Sequence, residues 1–271
     1  MEVVLLKAGI IYNTDKKRAV EFAEFLRGEI LKRGIEVVAE DRIWEMDFLV
    51  VLGGDGTLLK ASKNLVEIDI PVIAVNMGSL GFMTEIRESE ALEVIDNVIE
   101  GKFLIEQRNF LEVRVNGEKH YGLNEAVVAK GSFPARMVRI KVYSNNEYVN
   151  TYRADGVIVS SPTGSTAYNM SAGGPIIKPG LNAMVITPIS PHTLTTRPIV
   201  LPGNDIIKLE IDGNEDGLYV MVDGQENIAV SLFDEISVTV SEKSISLVKP
   251  ESRGYYSVLR EKLKWGDDII C

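Results

Sequence analysis

The chain has 271 residues, 45% of them hydrophobic and 25% charged, which places it among folded globular proteins of one large or two ordinary domains and excludes disorder as its main state. No run approaches the roughly 18 consecutive apolar residues of a membrane-spanning helix, and a formal charge of −10 argues against a nucleic-acid partner. One cysteine, Cys271, and two histidines, His120 and His192, exclude an internal disulfide and disfavour a Cys/His zinc site.

Residues 1–7 lack the basic start and long apolar stretch of a signal peptide and read as the opening of a core strand. With the lone cysteine, this points to a cytoplasmic protein without a membrane partner. The acidic balance also sets a condition. Any polyphosphate ligand would need backbone amides, a few placed cations or Mg2+ to offset the field.

In chain order, residues 3–11 form a near-continuous apolar run, the mark of a strand covered on both faces. Thr14 and Asp15 are candidate N-caps for a helix carrying Ala19, Phe22, Ala23, Leu26 and Ile30, with Gly34 as its stop. Strand-like runs follow at residues 36–39, 48–52 and 71–75, with a helix over residues 57–65. Ser89 is a candidate cap for a helix through Leu92, Ile95, Val98 and Ile99 that ends near Gly101. Strands separated by helices predict an α/β domain with a parallel sheet over residues 1–102.

After residue 103 the period changes to two. Leu111, Val113 and Val115 alternate before the hairpin signal Asn116-Gly117, and Val138, Ile140 and Val142 alternate before Ser144-Asn145-Asn146. Later runs are Ile207/Leu209/Ile211, Val220/Val222, Ile236/Val238/Val240 and Ile245/Leu247. Residues 103–249 are therefore expected to form a β-rich, sandwich-like domain. A last helical pattern through Tyr256, Leu259 and Leu263 suggests that residues 250–271 pack back on the first domain.

The run Phe48-Leu49-Val50-Val51-Leu52 leads straight into Gly53-Gly54-Asp55-Gly56-Thr57. Glycines permit positive φ and close approach of a ligand, and a helix N-terminus offers free amides to anions. Asp55 in such a loop suits a Mg2+ ligand or an aid to an attacking hydroxyl. A plain strand-to-helix turn with Asp55 or Thr57 as cap reads the same residues equally well. The motif is neither the P-loop nor the dinucleotide fingerprint.

Four further segments narrow the choice: Asn76-Met77-Gly78-Ser79-Leu80-Gly81-Phe82, Leu123-Asn124-Glu125, the stretch from Asp155-Gly156 through Thr163-Gly164-Ser165-Thr166-Ala167-Tyr168 to Pro175, and His192-Thr193-Leu194-Thr195-Thr196-Arg197-Pro198. In this order they resemble the NAD kinase family, from the first strand almost to the last residue. The Gly-Gly-Asp-Gly-Thr element is shared with lipid kinases and phosphofructokinases. The Asn-Glu pair and the Thr-Gly-Ser-Thr-Ala-Tyr segment narrow the match.

The resemblance implies ATP- or polyphosphate-dependent phosphorylation of NAD at the 2′-hydroxyl of its adenosine ribose. It implies a Rossmann-like N-terminal domain, a β-rich C-terminal domain, a site in the cleft between them, and a homodimer or homotetramer whose neighbouring subunit helps complete the site. Gly53, Gly54, Gly56 and Thr57 match the donor-phosphate loop, and Gly56 also lies against NAD. Asp55 matches the residue that engages the 2′-hydroxyl and would hold Mg2+. Phe82 matches an adenosine-pocket aromatic, and Asn124 and Glu125 match a ribose-binding pair. Thr163, Thr166, Ala167, Tyr168 and Ser171 match positions around adenine or nicotinamide. Arg153, Asp155 and Asp223 complete the NAD-binding candidates, Arg153 as a phosphate contact. Gly224 stands where some members have a histidine near the phosphates.

Each residue also has a plainer reading. Asn124 and Glu125 read as a strand-end pair, Phe82 as core, Arg153 as half of a surface ion pair, and the hydroxyls of residues 163–166 as caps of a helix beginning near Ala167. A lipid kinase and a non-catalytic nucleotide sensor are the competing functions. An ordinary aspartate, with a pKa near roughly 3.9, is a poor match for an alcohol proton, so Asp55 is expected to orient the nucleophile and accept its proton late.

Overall fold

A computed structural model describes residues 5–131, 137–213, 217–250 and 253–265. The chain divides into two compact units, one of Met1–Gln107 with Ile245–Cys271 and one of Arg108–Ser244. Cys271 and the first residues of the expected opening strand, Val3 and Val4, lie outside the described residues.

The first unit runs β1 (Lys7–Tyr12), α1 (Lys17–Lys32), β2 (Glu36–Val38), β3 (Phe48–Gly53), α2 (Asp55–Ser62), β4 (Pro71–Asn76), β5 (Ile86–Arg87) and α3 (Ala91–Ile99). Its strands pair in parallel in the order β2-β1-β3-β4-β5. All six residues of β3 are buried, as a central strand with helices over both faces requires. Leu26 and Ile30 of α1 and Ile95 of α3 close over Phe48, Val50 and Ile73 in one apolar core.

The helix ends correct three expected caps. α1 begins after Lys16, with no side-chain cap, and the Asp15 amide instead donates to the Asn13 side-chain oxygen Oδ1 at 2.9 Å. α3 begins after Glu90 in place of Ser89, and the Glu90 carboxylate reaches back to the Arg87 amide at 2.8 Å. α2 begins at Asp55, two residues earlier than the pattern suggested, behind Gly54. The stop of α1 is as expected. Gly34 has φ +75°, its amide bonds Leu31 and the Ile35 amide bonds Ile30, so two orphan carbonyls are satisfied.

The chain enters the second unit along β6 (Leu104–Val115). It continues through β7 (Glu118–Gly122), β8 (Glu125–Lys130), β9 (Val138–Ser144), β10 (Glu147–Ala154), β11 (Gly156–Ser160), α4 (Tyr168–Ser171), β12 (Ala183–Ile189) and β13 (Ile199–Pro202). β14 (Ile207–Ile211), β15 (Leu218–Val222), β16 (Glu226–Val230) and β17 (Ile236–Lys249) follow. Within the unit β10-β9-β14-β17 form one antiparallel array, and β13-β12-β11-β8-β15-β16 form another. Ile140, Leu209 and Ile236 from the first and Val128, Val159 and Val220 from the second share one buried cluster, the core of a β-sandwich. Asn116 and Gly117 (φ 52° and 84°) and Asn145 and Asn146 (φ 50° and 69°) make the two left-handed hairpin turns that the sequence pattern predicts.

β17 joins two runs that the sequence pattern separates. Its residues 246 and 247 pair in parallel with Pro71 and Val72 of β4 inside the first unit. α5 (Tyr255–Leu263) also belongs to the first unit. Among the described residues no helix is long and apolar enough to cross a membrane.

Candidate active site

In the first unit the glycine-rich turn carries the chain from β3 into α2 through Gly54, whose φ of −113° is ordinary. Gly53 and Gly56 do not adopt positive φ either, so the expected conformational reason for the glycines does not apply. Space does. A Cβ on Gly53 would lie 2.2 Å from Thr57 Oγ1, so Gly53 is required for the turn to close. A Cβ on Gly54 or Gly56 would meet nothing within 4 Å. These two glycines keep an open face beside the first turn of α2, where helix amides have no intrahelical partner.

Asp55 is half-buried and caps nothing, which removes the helix-cap reading. Its Oδ2 accepts the Phe82 amide at 2.8 Å. Its Oδ1 accepts the Met83 amide at 3.2 Å, the Thr84 amide at 3.0 Å and the Thr84 hydroxyl at 2.9 Å. The carboxylate therefore grips the strap at residues 82–84, and Gly81 must be glycine because a Cβ there would lie 2.1 Å from Asp55 Oδ1. Asn76, buried at the end of β4, accepts the Gly78 amide at 2.7 Å and donates to the Ser79 carbonyl at 2.7 Å and to Thr84 Oγ1 at 3.1 Å. The Met77 amide reaches the Gly53 carbonyl at 2.9 Å, tying loop and strap together. Phe82 is half-buried under Lys262 of α5, whose Nζ stands 5.6 Å from the ring centroid. Asn76 and Thr84 as the residues that hold Asp55 escaped the sequence reading. Their one signal was Asn76 in the quoted Asn-Met-Gly-Ser segment.

The second unit has a parallel device. Asp223, at φ 52° in the turn from β15 to β16, accepts the amides of Leu123 (2.8 Å), Asn124 (2.8 Å) and Glu125 (3.1 Å). This fixes the backbone where β7 passes into β8. Both Asn124 and Glu125 are buried. The Asn124 side-chain amide makes no hydrogen bond among the described residues, and Glu125 Oε2 is buried without a partner. Burial, reinforced by the neighbouring Asp223 charge, pushes the Glu125 carboxyl up to about 8, and the Tyr168 backbone N–H pulls the other way.

The loop after β11 folds against this pair. The Ser161 amide donates to the Asn124 carbonyl at 2.8 Å, and Gly164 packs so closely that a Cβ would stand 2.1 Å from that oxygen. The hydroxyls do not cap the short helix as expected, since α4 begins behind Ala167 with no side-chain cap. Ser161 Oγ instead accepts the Gly164 amide at 3.1 Å, and Ser165 Oγ donates to the Pro162 carbonyl at 2.6 Å. Thr163 and Thr166 are buried in this loop, Ala167 is half-buried, and Tyr168 and Ser171 are exposed. Asn169 was not anticipated. Fully buried, it ties the loop through the Ser165 and Pro175 carbonyls, both at 3.0 Å, and Thr187.

Not every candidate converges. Ser160 pairs with Glu125 at one end of β11, whereas Asp155 precedes the other end. Five extended residues place Asp155 roughly 16 Å along the strand from the Asn124–Glu125 pair. Arg153 is exposed on β10 and makes no ion pair among the described residues, so the surface salt bridge considered for it is absent. His192 is exposed, and its amide donates to the Arg153 carbonyl at 2.9 Å.

Two family models match the chain: the ATP-NAD kinase N-terminal domain over residues 43–103 and the ATP-NAD kinase C-terminal domain over residues 123–250. An NAD kinase of Fusobacterium nucleatum is 40% identical over 266 residues, covering 98% of this chain and 100% of that protein. An NAD kinase of Heliobacterium modesticaldum is 38% identical, covering 95% and 98%. A crystal structure of an NAD kinase from Archaeoglobus fulgidus in complex with ATP superposes with a TM-score of 0.80 at 26% identity, over 94% of this chain and 99% of that one. The yeast NADH kinase complexed with NADH shares the fold, with a TM-score of 0.88 at 24% identity over 97% and 88%. The glycine-rich turn and the clasped Asn-Glu pair thus stand in a chain that belongs to the NAD kinase family.

Proposed function

We propose that the chain transfers the terminal phosphoryl group of ATP, or of inorganic polyphosphate, to the 2′-hydroxyl of the adenosine ribose of NAD, giving NADP. The observation that carries this reading is the open face of Gly54 and Gly56. Glycine inside a helix, as at Gly56, costs up to about 1 kcal/mol relative to alanine. Neither backbone strain nor crowding demands it here, so a ligand lying against the main chain explains it best. ATP in the related Archaeoglobus fulgidus enzyme supports a nucleotide in that role.

Phosphoryl transfer through a loose transition state needs positioning and charge neutralisation more than covalent help. The amides at the start of α2 receive the donor's phosphates, with Thr57 beside them. Mg2+ is the proposed counter-ion. Among the described residues no group of three or more His, Cys, Asp or Glu side chains could hold a metal, which suits an ion held by one carboxylate, Asp55, and the donor's own oxygens. Such an ion would neutralise the phosphate charge. Asp55 already accepts four hydrogen bonds, so it takes up a hydroxyl or a metal by sharing an acceptor position. The 3.2 Å bond from Met83 is the weakest to give up.

Asn124 and Glu125 hold the ribose. A neutral Glu125 with a buried, partnerless oxygen gains a partner when a ribose hydroxyl enters, and the Asn124 side-chain amide supplies N–H donors and a carbonyl acceptor. Gly56 and Phe82 contact the same substrate, and Thr163, Thr166, Ala167, Tyr168, Ser171 and Asp223 shape or line its pocket. Arg153 and Asp155 stand away from the Asn124–Glu125 pair on their own chain. We assign them to the site of a neighbouring copy in a homodimer or homotetramer. The cytoplasm is the proposed location.

Gly56→Ala is the test. The variant is expected to be as stable as the parent or up to about 1 kcal/mol more stable, yet to make NADP at least tenfold more slowly. Unchanged turnover with either donor would remove the ligand from that face.

A further inference from the structure

The strap that meets Asp55 is itself fixed on both sides of Thr84. On one side the Gly81 amide donates to the Thr84 carbonyl at 3.2 Å. On the other, the buried Glu85 carboxylate accepts Lys249 Nζ, the Glu85 carbonyl accepts the Arg253 guanidinium, and Ile86 pairs with Val75 of β4. Thr84 is fully buried between these anchors, whereas Asp55 is half-buried beside the open glycine face. Thr84 is therefore the rigid member of the contact and Asp55 the adjustable one.

The direction of each proton follows from Asn76. Its Oδ1 accepts the Gly78 amide, which can only donate, so its amino group faces the Ser79 carbonyl and Thr84 Oγ1. Both of its N–H groups are thereby used. Thr84 Oγ1 accepts one of them, and its own single proton is left for Asp55 Oδ1 at 2.9 Å. Hydrogen bonds aligned head to tail in this way polarise one another. Gly81 closes over the junction, where a Cβ would lie 2.2 Å from Thr84 Oγ1.

We propose that Thr84 is a positioning residue of the transfer step, with Asn76 setting the direction of its hydroxyl. When Asp55 takes up a hydroxyl or a metal and the Met83 bond yields, Oδ1 is held by Thr84 alone, through its amide at 3.0 Å and its hydroxyl at 2.9 Å. Any residue at position 84 supplies the amide, but only serine or threonine supplies an equivalent hydroxyl. With the amide alone the carboxylate can turn about its Cβ–Cγ bond, and small misplacements of a reacting group cost large factors in rate. The inference rests on the kinase reading and deepens it, since the fully buried Thr84 acts only through Asp55.

Steady-state assays of NADP formation by the full chain, with NAD and ATP varied in turn at saturating Mg2+, test it. Thr84→Val, which keeps the shape and removes the hydroxyl, is expected to lower kcat at least tenfold and to leave both KM values within twofold. That split marks an interaction made in the transition state. Thr84→Ser is expected to return kcat to within threefold of the parent. Added to Asp55→Asn, Thr84→Val is expected to cost less than twofold more, because a group acting through the carboxylate then has nothing left to position. Thermal melts check that each variant is folded, and Thr84→Ala serves in place of valine if that variant does not fold. A normal kcat without the hydroxyl, a loss carried by KM, a loss that serine does not restore, or an equal loss on top of Asp55→Asn overturns the assignment. No NADP from the parent sinks the kinase reading and the assignment with it, whereas an active parent indifferent to the Thr84 hydroxyl sinks the assignment alone.

Discussion

Replacing Glu125 by glutamine tests whether this carboxyl is held neutral by the fold. Its carboxyl moves from an ordinary 4.5 to about 8 because burial, and then the Asp223 charge, penalise the ionised form. A folded-state value above the unfolded one means that the native protein holds the proton longer. The stability this contributes is complete below pH 4.5 and is lost as pH rises to about 8. The slope is about 1.36 kcal/mol per pH unit once the unfolded chain has ionised. Glutamine has the same shape and never ionises, so the variant escapes this loss. Its advantage over the parent should therefore grow by about 2–3 kcal/mol between pH 5 and pH 7. Urea unfolding at a series of pH values, followed by far-ultraviolet circular dichroism, measures it. Taking the difference between the two proteins cancels the other titrating groups. A difference that stays flat across this window would refute the argument that burial keeps Glu125 protonated.

Asp55→Asn should lower turnover by roughly a thousandfold or more, and near-normal NADP formation would end Asp55's catalytic assignment. The same variant turns an amide NH2 toward the donors of residues 82–84, so a loss of about 1–3 kcal/mol is also expected in denaturant melts. Gly53→Ala, in contrast to Gly56→Ala, should cost about 1–3 kcal/mol because its Cβ would overlap Thr57. Asn124→Ala should weaken NAD far more than ATP in paired titrations. Equal losses for both would indicate misfolding.

Features set by neighbours in sequence were legible before the coordinates. The unbroken apolar run of β3 implied a strand covered on both faces, and Asn116-Gly117 implied a tight hairpin. The Asn-Glu pair also came out of the sequence as a site candidate. What stayed hidden is long-range. Nothing near Asp55 indicates that its oxygens meet amides 27, 28 and 29 residues later, or that Asp223 reaches back 98 to 100 residues. The capping expectations failed for a local reason. Several short polar side chains stood near each helix start, and Asn13 took the Asp15 amide in a turn of its own. The continuity of β17 was masked by Ser241-Glu242-Lys243-Ser244, where the apolar alternation lapses although the strand continues.

The turn at Asp223 has a consequence for how such a chain can vary. Its carboxylate addresses three consecutive amides, and the approach is so close that a Cβ on Gly122 would lie 2.7 Å from Val222 and 2.8 Å from Asp223 Oδ1. Adding or deleting one residue in the β15–β16 turn, or in the link from β7 to β8, would slide oxygens past hydrogens and turn every following strand residue to the opposite face. Both connections are thus frozen in length, and Gly224, at φ 65°, constrains residue identity in the first of them as well. Peptide insertions for tagging or permutation belong elsewhere in this chain.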